Sequence, residues 1–296
     1  MPPGLKRGDR LSGCILYSTD HLCYQIFPMS VSSTYIMSGE KMSSPGVNRS
    51  GIQEGLTRLG LLQDDVVFVH SSLSAFGQVE GGPESVIDAF LGVLGPGGTL
   101  VMPTFTWGDF HSEPVVEFDL QNTPCETGLI PETFRKREGV RRSVHICHSV
   151  AVVGTHALAV LGDGVSSFGL GSTFDALRKL DAWIVLLGVT FQSCTALHAV
   201  EEFVGVPYRK HRDYKDSTVI LPDGSRIRSE SIEYLRQDGS SNDFTKMAAI
   251  LDEKGALRKT SIGSSYCMSV RIRELFRITQ PLLEQDSGFL SRPASN

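Results

Sequence analysis

The stretch VVFVHSSLSAFGQVEGGPESVIDAFLGVLGPGGTLVM at 66–102 decides the fold. Val66-Val67-Phe68-Val69 is a short, unbroken apolar run, which reads as a strand buried on both faces. Ser71 to Gly82 is polar and glycine-rich, so it reads as a loop. Pro83 opens a helix with Val86, Phe90 and Leu94 on one face, and Gly95-Pro96-Gly97-Gly98 stops it. Thr99-Leu100-Val101-Met102 is the next strand. Strand, loop, helix, turn and strand make a right-handed crossover unit, so part of the sheet is parallel.

The same grammar extends outward. Upstream, Ile52, Leu56 and Leu59 follow a helical stripe closed by Gly60. Downstream, strands fit Ser149 to Val153 and Trp183 to Leu187, each followed by a helical stretch. Ser217 to Leu221, Pro-Asp-Gly at 222–224 and Ser225 to Arg228 read as a hairpin. Helices are expected at about 243–254 and 269–279. No repeat or linker interrupts this order. The expectation is one α/β domain over 45–285: a central mixed β-sheet flanked by helices, with a C-terminal antiparallel and helical attachment and a tail at 286–296.

Residues 1–44 are read as a leader outside that domain, with Met37 or Met42 as alternative starts. Leu11-Ser12-Gly13-Cys14 imitates a lipoprotein cleavage box, but Asp9 and Arg10 stand where an apolar stretch is required, so no export is expected. No apolar run approaches the 18 residues of a membrane-spanning helix. The six cysteines, at 14, 23, 125, 147, 194 and 267, are too scattered for a disulfide scaffold. A reduced, cytoplasmic setting follows. The net charge of −5 argues against nucleic acid as a partner. The 30 glycines in 296 residues exceed the average of about 7%, which points to tight turns and close backbone approach to a ligand.

Ligands of α/β sheets gather at the carboxyl ends of strands, so the residues just past each strand matter most. His70 to Gly77 offers backbone amides and small hydroxyls suited to an anion, although it lacks the Gly-Lys-Ser/Thr of a P-loop. An ordinary serine-rich turn is the other reading. After Leu187 comes a loop that runs into a helix carrying His198 and Glu201. Three residues apart, they share a face, and a carboxylate beside an imidazole makes a general base. A solvated helical pair would show the same spacing. His145-x-Cys147-His148 has no second cluster to complete a zinc site, so no metal is expected. Cys147 and Cys194 are either nucleophiles or, more commonly, buried inert thiols. Asp109, Glu113, Glu117, Asp119 and Glu126 form an acidic segment, followed by Arg135, Lys136, Arg137, Arg141 and Arg142. Such segregation suits a cationic substrate beside a polyanionic one, or two faces that attract each other.

Together the motifs resemble the aminoglycoside 3-N-acetyltransferases, an acyl-coenzyme A-dependent family distinct from the GNAT fold. The resemblance is carried by VHSSLSAFGQVEGGPESVIDAF at 69–90, LGPGGTLVMPTFTW at 94–107 and TPCETGLIPETFRKREGVRRSVHICHSVAVVG at 123–154. It continues through FGLGSTFDAL at 168–177 and LLGVTFQSCTALHAVEE at 186–202. It spans about Gly51 to Arg277. Departures are Ile146 and Cys147 for proline and threonine, Thr173 for proline, Cys194 for asparagine and Cys125 for serine.

The resemblance implies transfer of acetyl from acetyl-CoA to the 3-amino group of a 2-deoxystreptamine antibiotic, giving resistance. It implies His198 as catalytic histidine with Glu201 as its partner; the tetrahedral intermediate would need oxyanion donors, for which Thr195 and a loop amide are candidates. Ser71, Ser72, Leu73, Arg142, Ser143, His148, Ser149, Ser172, Thr173 and Phe174 would line the coenzyme groove. Asp109, Glu126, Asp175 and Glu202 would hold the polycationic aminoglycoside. A monomer or homodimer with no nucleic-acid or membrane partner is expected. Three rival readings are a Cys- or Ser-dependent thioester or amide hydrolase, an N-acyltransferase acting on a non-antibiotic amine, and an acyl-CoA-binding module without catalysis.

Overall fold

Val66 to Val69 lie in the middle of a seven-stranded sheet, and alternate side chains enter two separate apolar cores. Val66 and Phe68 join one core, Val67 and Val69 the other. The period of two along a pleated strand produces this division, and burial of both faces explains why the run is apolar throughout. Truncating a fully buried side chain such as Phe68 to alanine would cost about 3–5 kcal/mol.

The computed structural model describes residues 46–107 and 115–292. The leader at 1–44, Asp109, Glu113 and residues 293–296 lie outside the described residues. The elements begin with α1 (Arg49–Arg58), β1 (Val66–Ser71), α2 (Gly82–Leu94), β2 (Thr99–Pro103) and β3 (Glu117–Asp119). Next come α3 (Leu129–Phe134), β4 (Arg141–Arg142), β5 (Val150–Gly154), α4 (Ala157–Leu161), α5 (Thr173–Lys179), β6 (Trp183–Leu187) and α6 (Ala196–Val204). The chain continues through β7 (Arg209–Asp213), β8 (Thr218–Ile220), β9 (Arg226–Arg228), β10 (Ile232–Arg236) and β11 (Ser241–Asn242). It ends with α7 (Met247–Glu253), β12 (Arg258–Ile262), β13 (Ser265–Arg271), α8 (Ile272–Gln285) and β14 (Ser291–Arg292).

The central sheet has the order β12-β13-β6-β1-β2-β5-β4. β6, β1 and β2 run parallel, while β13, β12, β5 and β4 are antiparallel additions. The sheet is therefore mixed, as expected. Buried residues of α1, α2 and α3 cover one face, and those of α4 to α8 cover the other. Because the three middle strands are parallel, their carboxyl ends emerge side by side: Ser71 pairs with Leu187.

Three expectations change. The hairpin at 217–228 exists as β8–β9, but it joins β3 in a separate three-stranded sheet. The antiparallel addition to the central sheet is instead β12–β13, turned at Gly263-Ser264 with Gly263 at φ 57°. Residues 269–271 consequently belong to β13, and the last helix begins at Ile272 because pairing with β6 claims them first. Finally, 286–292 are not a loose tail. Leu290 is fully buried and Ser291–Arg292 pair with Ser241–Asn242.

Candidate active site

β6 delivers the chain to Gly188, whose φ of 74° and surroundings admit no side chain. A Cβ there would lie 2.5 Å from Ser265 Oγ and 2.8 Å from Ala75 Cβ. Glycine lets the loops after β6 and β1 close on each other. A short turn at Phe191–Ser193 then leads into α6, which buries Leu197, Ala199 and Val200. His198 and Glu201 sit one turn apart on this helix, and His198 Nδ1 lies 2.6 Å from Glu201 Oε2.

Glu201 is fully buried, and the Tyr208 hydroxyl donates to its Oε1 at 2.7 Å. Arg209 Nε lies 2.8 Å from Oε2 without its N–H aligned on the oxygen, and an Arg236 nitrogen lies 3.6 Å from Oε1. The carboxylate requires a proton on Nδ1, which leaves the lone pair on Nε2. Phe168 and Phe244 flank the imidazole, with ring centres at 5.2 and 4.9 Å. Burial, reinforced by Arg209 and opposed by Glu201, pulls the His198 pKa down to about 4. Burial pushes the Glu201 carboxyl up, but His198, Arg209 and Tyr208 outweigh it and hold it below the usual value. At neutral pH the pair is a neutral imidazole beside a carboxylate, which can accept a proton.

A second imidazole completes this edge. His70, at the end of β1, accepts the backbone N–H of Thr195 at 3.2 Å. Burial, then the nearby His198, lowers its pKa to about 3, so it stays a neutral acceptor. Its position directly after an apolar strand was the available signal for it. Tyr208, Arg209 and Arg236 gave none: they follow α6 in segments of mixed polarity. A third histidine group lies across Phe168. His148 Nδ1 is 3.0 Å from Ser167 Oγ, which lies 3.2 Å from His145 Nε2. The His148 ring packs 4.7 Å from Phe168.

Of the expected coenzyme contacts, Ser71 Oγ is buried with no hydrogen-bond partner among the described residues. Ser72 Oγ lies 3.2 Å from Ser74 Oγ, and Leu73 starts a short 3₁₀ turn. Several others make hydrogen bonds or packing contacts within the protein. Arg142 donates to Thr104, Ser149 and the Thr123 carbonyl and lies 4.7 Å over Phe118; burial lowers its pKa to about 10. Ser149 is fully buried and bonds the Thr104 carbonyl, while Ser143 accepts the Val150 N–H. Ser172 caps α5 by accepting the Asp175 N–H, Thr173 donates to the Val160 carbonyl, and Phe174 is a core ring between Phe68 and Phe168.

Among the acids, Asp175 is spent on Lys179 at 2.7 Å and the Gly171 N–H. Glu126 accepts the Trp107 N–H. Glu202 differs. Its Oε1 takes His211 Nε2 at 3.0 Å, but its Oε2 is buried with no hydrogen-bond partner among the described residues. Among the described residues several of the segregated charges pair elsewhere: Glu117 with Arg226, Arg135 and Lys136 with Glu132, and Arg137 with Asp88. Cys194 is fully buried and its thiol pKa is pushed up to about 12, so it is no nucleophile. Burial also drives Cys147 well up. Among the described residues no three His, Cys, Asp or Glu side chains converge as metal ligands, and no helix is long and apolar enough to cross a membrane.

Known proteins are similar to this chain in sequence and fold. The aminoglycoside N(3)-acetyltransferase IV of Salmonella sp is 31% identical over 242 residues, covering 80% of this chain and 88% of its own. A histidine-to-alanine variant of aminoglycoside acetyltransferase AAC(3)-IVa, solved in complex with a gentamicin, superposes with TM-score 0.71 at 26% identity. That match covers 86% of this chain and 94% of the other. AAC-IIIb, solved as a binary complex with CoASH, shares the fold with TM-score 0.70 at 20% identity, over 85% of this chain and 100% of its own. The sequence profile described as aminoglycoside 3-N-acetyltransferase matches residues 68–284. The chain thus belongs to the aminoglycoside 3-N-acetyltransferase family of acyltransferases.

Proposed function

We propose that the protein transfers acetyl from acetyl-CoA to the 3-amino group of a 2-deoxystreptamine aminoglycoside, directly and with His198 as general base. The observation that carries this reading is the 2.6 Å contact between His198 and the buried Glu201 at the carboxyl end of β6. Acetyl-CoA supplies an activated thioester. The Ser72 to Ser74 turn, exposed at Ser74, and the Ser71 hydroxyl, which has no hydrogen-bond partner among the described residues, are the groups that would hold the coenzyme, with His148 packed on Phe168.

As the acceptor nitrogen forms its bond to the thioester carbon, it must shed a proton. Nε2 of His198 takes it, and Glu201 stabilises the imidazolium that results. Collapse of the tetrahedral intermediate breaks the C–S bond, and the imidazolium returns the proton to the departing thiolate. The Thr195 amide is committed to His70, so the Thr195 hydroxyl, bonded only at 3.5 Å to the Ser193 carbonyl, is the nearer oxyanion donor on this helix. Glu202, whose Oε2 has no hydrogen-bond partner among the described residues, would accept an ammonium of the acceptor. The burial of Cys194 weighs against the hydrolase reading.

Thiol release from acetyl-CoA across a panel of aminoglycosides and simple amines tests the proposal. Release that depends on an aminoglycoside, with the product acetylated at the 3-amino group, is expected. Release without any amine, or an acetylated Cys194 trapped by rapid quench, would refute it.

A further inference from the structure

Arg209 and Arg236 are direct cross-strand partners in the β7–β10 pair. Like charges placed opposite one another destabilise a strand pair, so this arrangement needs a compensating cause. The cause is Glu201. Arg209 approaches one carboxylate oxygen at 2.8 Å and Arg236 the other at 3.6 Å, with side chains only 6% and 12% exposed. Asn242 Oδ1 accepts from both guanidinium groups at 2.8 Å and locks them together. Tyr208 lies under Arg236, ring centre at 4.3 Å, and Tyr234 under Arg209 at 5.9 Å.

One arginine would neutralise one carboxylate. Two, with Asp238 3.6 Å from Arg236 but 40% exposed and screened by solvent, leave the buried part of the cluster with a surplus positive charge, which is costly unless it serves the group that Glu201 orients. The ionisable groups that face His198 are Glu201 on its own helix, His70 at the end of β1, Arg209 on β7 and Arg236 on β10. With a neutral imidazole the buried groups carry one net positive charge, which the solvent-exposed Asp238 beside Arg236 only partly offsets; a proton on His198 would add another.

We propose that Arg209 and Arg236 form a positioning clamp that holds Glu201 and keeps His198 unprotonated in mildly acidic as well as neutral solution. A lone Glu partner would push an imidazole the other way, toward the protonated form that cannot act as a base. The clamp lets the carboxylate orient the ring while the ring stays unprotonated and able to accept a proton. Its importance for turnover rests on the reading of His198 as the base; its effect on titration does not.

Histidine-selective NMR titration of the full chain tests it, with the His198 signal assigned through His198→Gln. In the unsubstituted protein His198 should titrate with a midpoint of about 4. In Arg209→Gln, and separately in Arg236→Gln, its midpoint should rise by about one pH unit or more. Arg209→Lys and Arg236→Lys keep the charge and should recover most of that shift. If Arg209→Gln does not fold, Arg236→Gln, nearer the surface, carries the test. Folded Gln variants in which only thermal stability drops, with the His198 midpoint unmoved, would overturn the clamp. A fully active His198→Gln enzyme would refute the base assignment while leaving the titration result standing.

Discussion

Replacing Glu201 by glutamine removes one negative charge from a fully buried site and changes little else in shape. The nitrogen–oxygen separation from His198 is 2.6 Å. With charge centres about 4 Å apart and an effective dielectric of about 20, the attraction between carboxylate and imidazolium is about 4 kcal/mol. That attraction develops only when His198 takes the proton, so its loss falls on the transition state. Glutamine can still bond Nδ1, which returns about 1 kcal/mol. The remaining loss of about 3 kcal/mol lowers kcat by roughly 150-fold. Stability should fall too, by about 3–5 kcal/mol, because Arg209 and Arg236 lose their common counter-ion. Initial rates of thiol release with both substrates saturating measure the first effect, and thermal unfolding measures the second. The KM for acetyl-CoA should stay within about threefold, since Glu201 touches no proposed coenzyme contact. A folded Glu201→Gln enzyme with kcat within about threefold of the parent would refute the reasoning.

Two further outcomes follow from the same geometry. Glu202→Gln removes the charge whose buried oxygen has no hydrogen-bond partner among the described residues, so the KM for the aminoglycoside should rise about tenfold or more with kcat nearly preserved; a fall in kcat alone would contradict it. His198 and His70 have folded pKa values of about 4 and about 3, below the unfolded value of 6.5. The unfolded chain therefore binds more protons, and stability falls as pH drops from 6.5 toward 4. Two protons imply a slope of about 2.7 kcal/mol per pH unit near pH 5, read from denaturant titrations; stability flat across that window would contradict the neutral, buried state of both rings.

Much of the fold was legible because burial on both faces forces β1, β2 and β6 to be continuous apolar runs, and glycine and proline mark their ends. The β12–β13 hairpin escaped notice for the opposite reason. Its strands mix Lys259, Thr260 and Ser261 with Tyr266 and Cys267, and its one clear cue, the Gly263-Ser264 turn, is short. In the site, His198 and Glu201 were readable from a spacing of three just beyond a strand. Arg209 and Arg236 were not, because their proximity arises from strand pairing 27 residues apart in sequence. Charge clusters are ambiguous in a similar way. Arg142 and Asp175 look available in one dimension, yet nearby carbonyls, amides and Lys179 consume them. Small hydroxyl residues were equally ambiguous, since Ser143 and Ser149 tie strand ends together with the same groups that could bind a ligand.

The most direct test of the account is the turnover of His198→Gln measured beside its affinity for coenzyme A. Loss of the proton acceptor should lower kcat by about 10²–10⁴-fold, while the Kd for coenzyme A stays within about threefold. A variant that folds, binds coenzyme and turns over at close to the parental rate would contradict the central claim that His198 is the base.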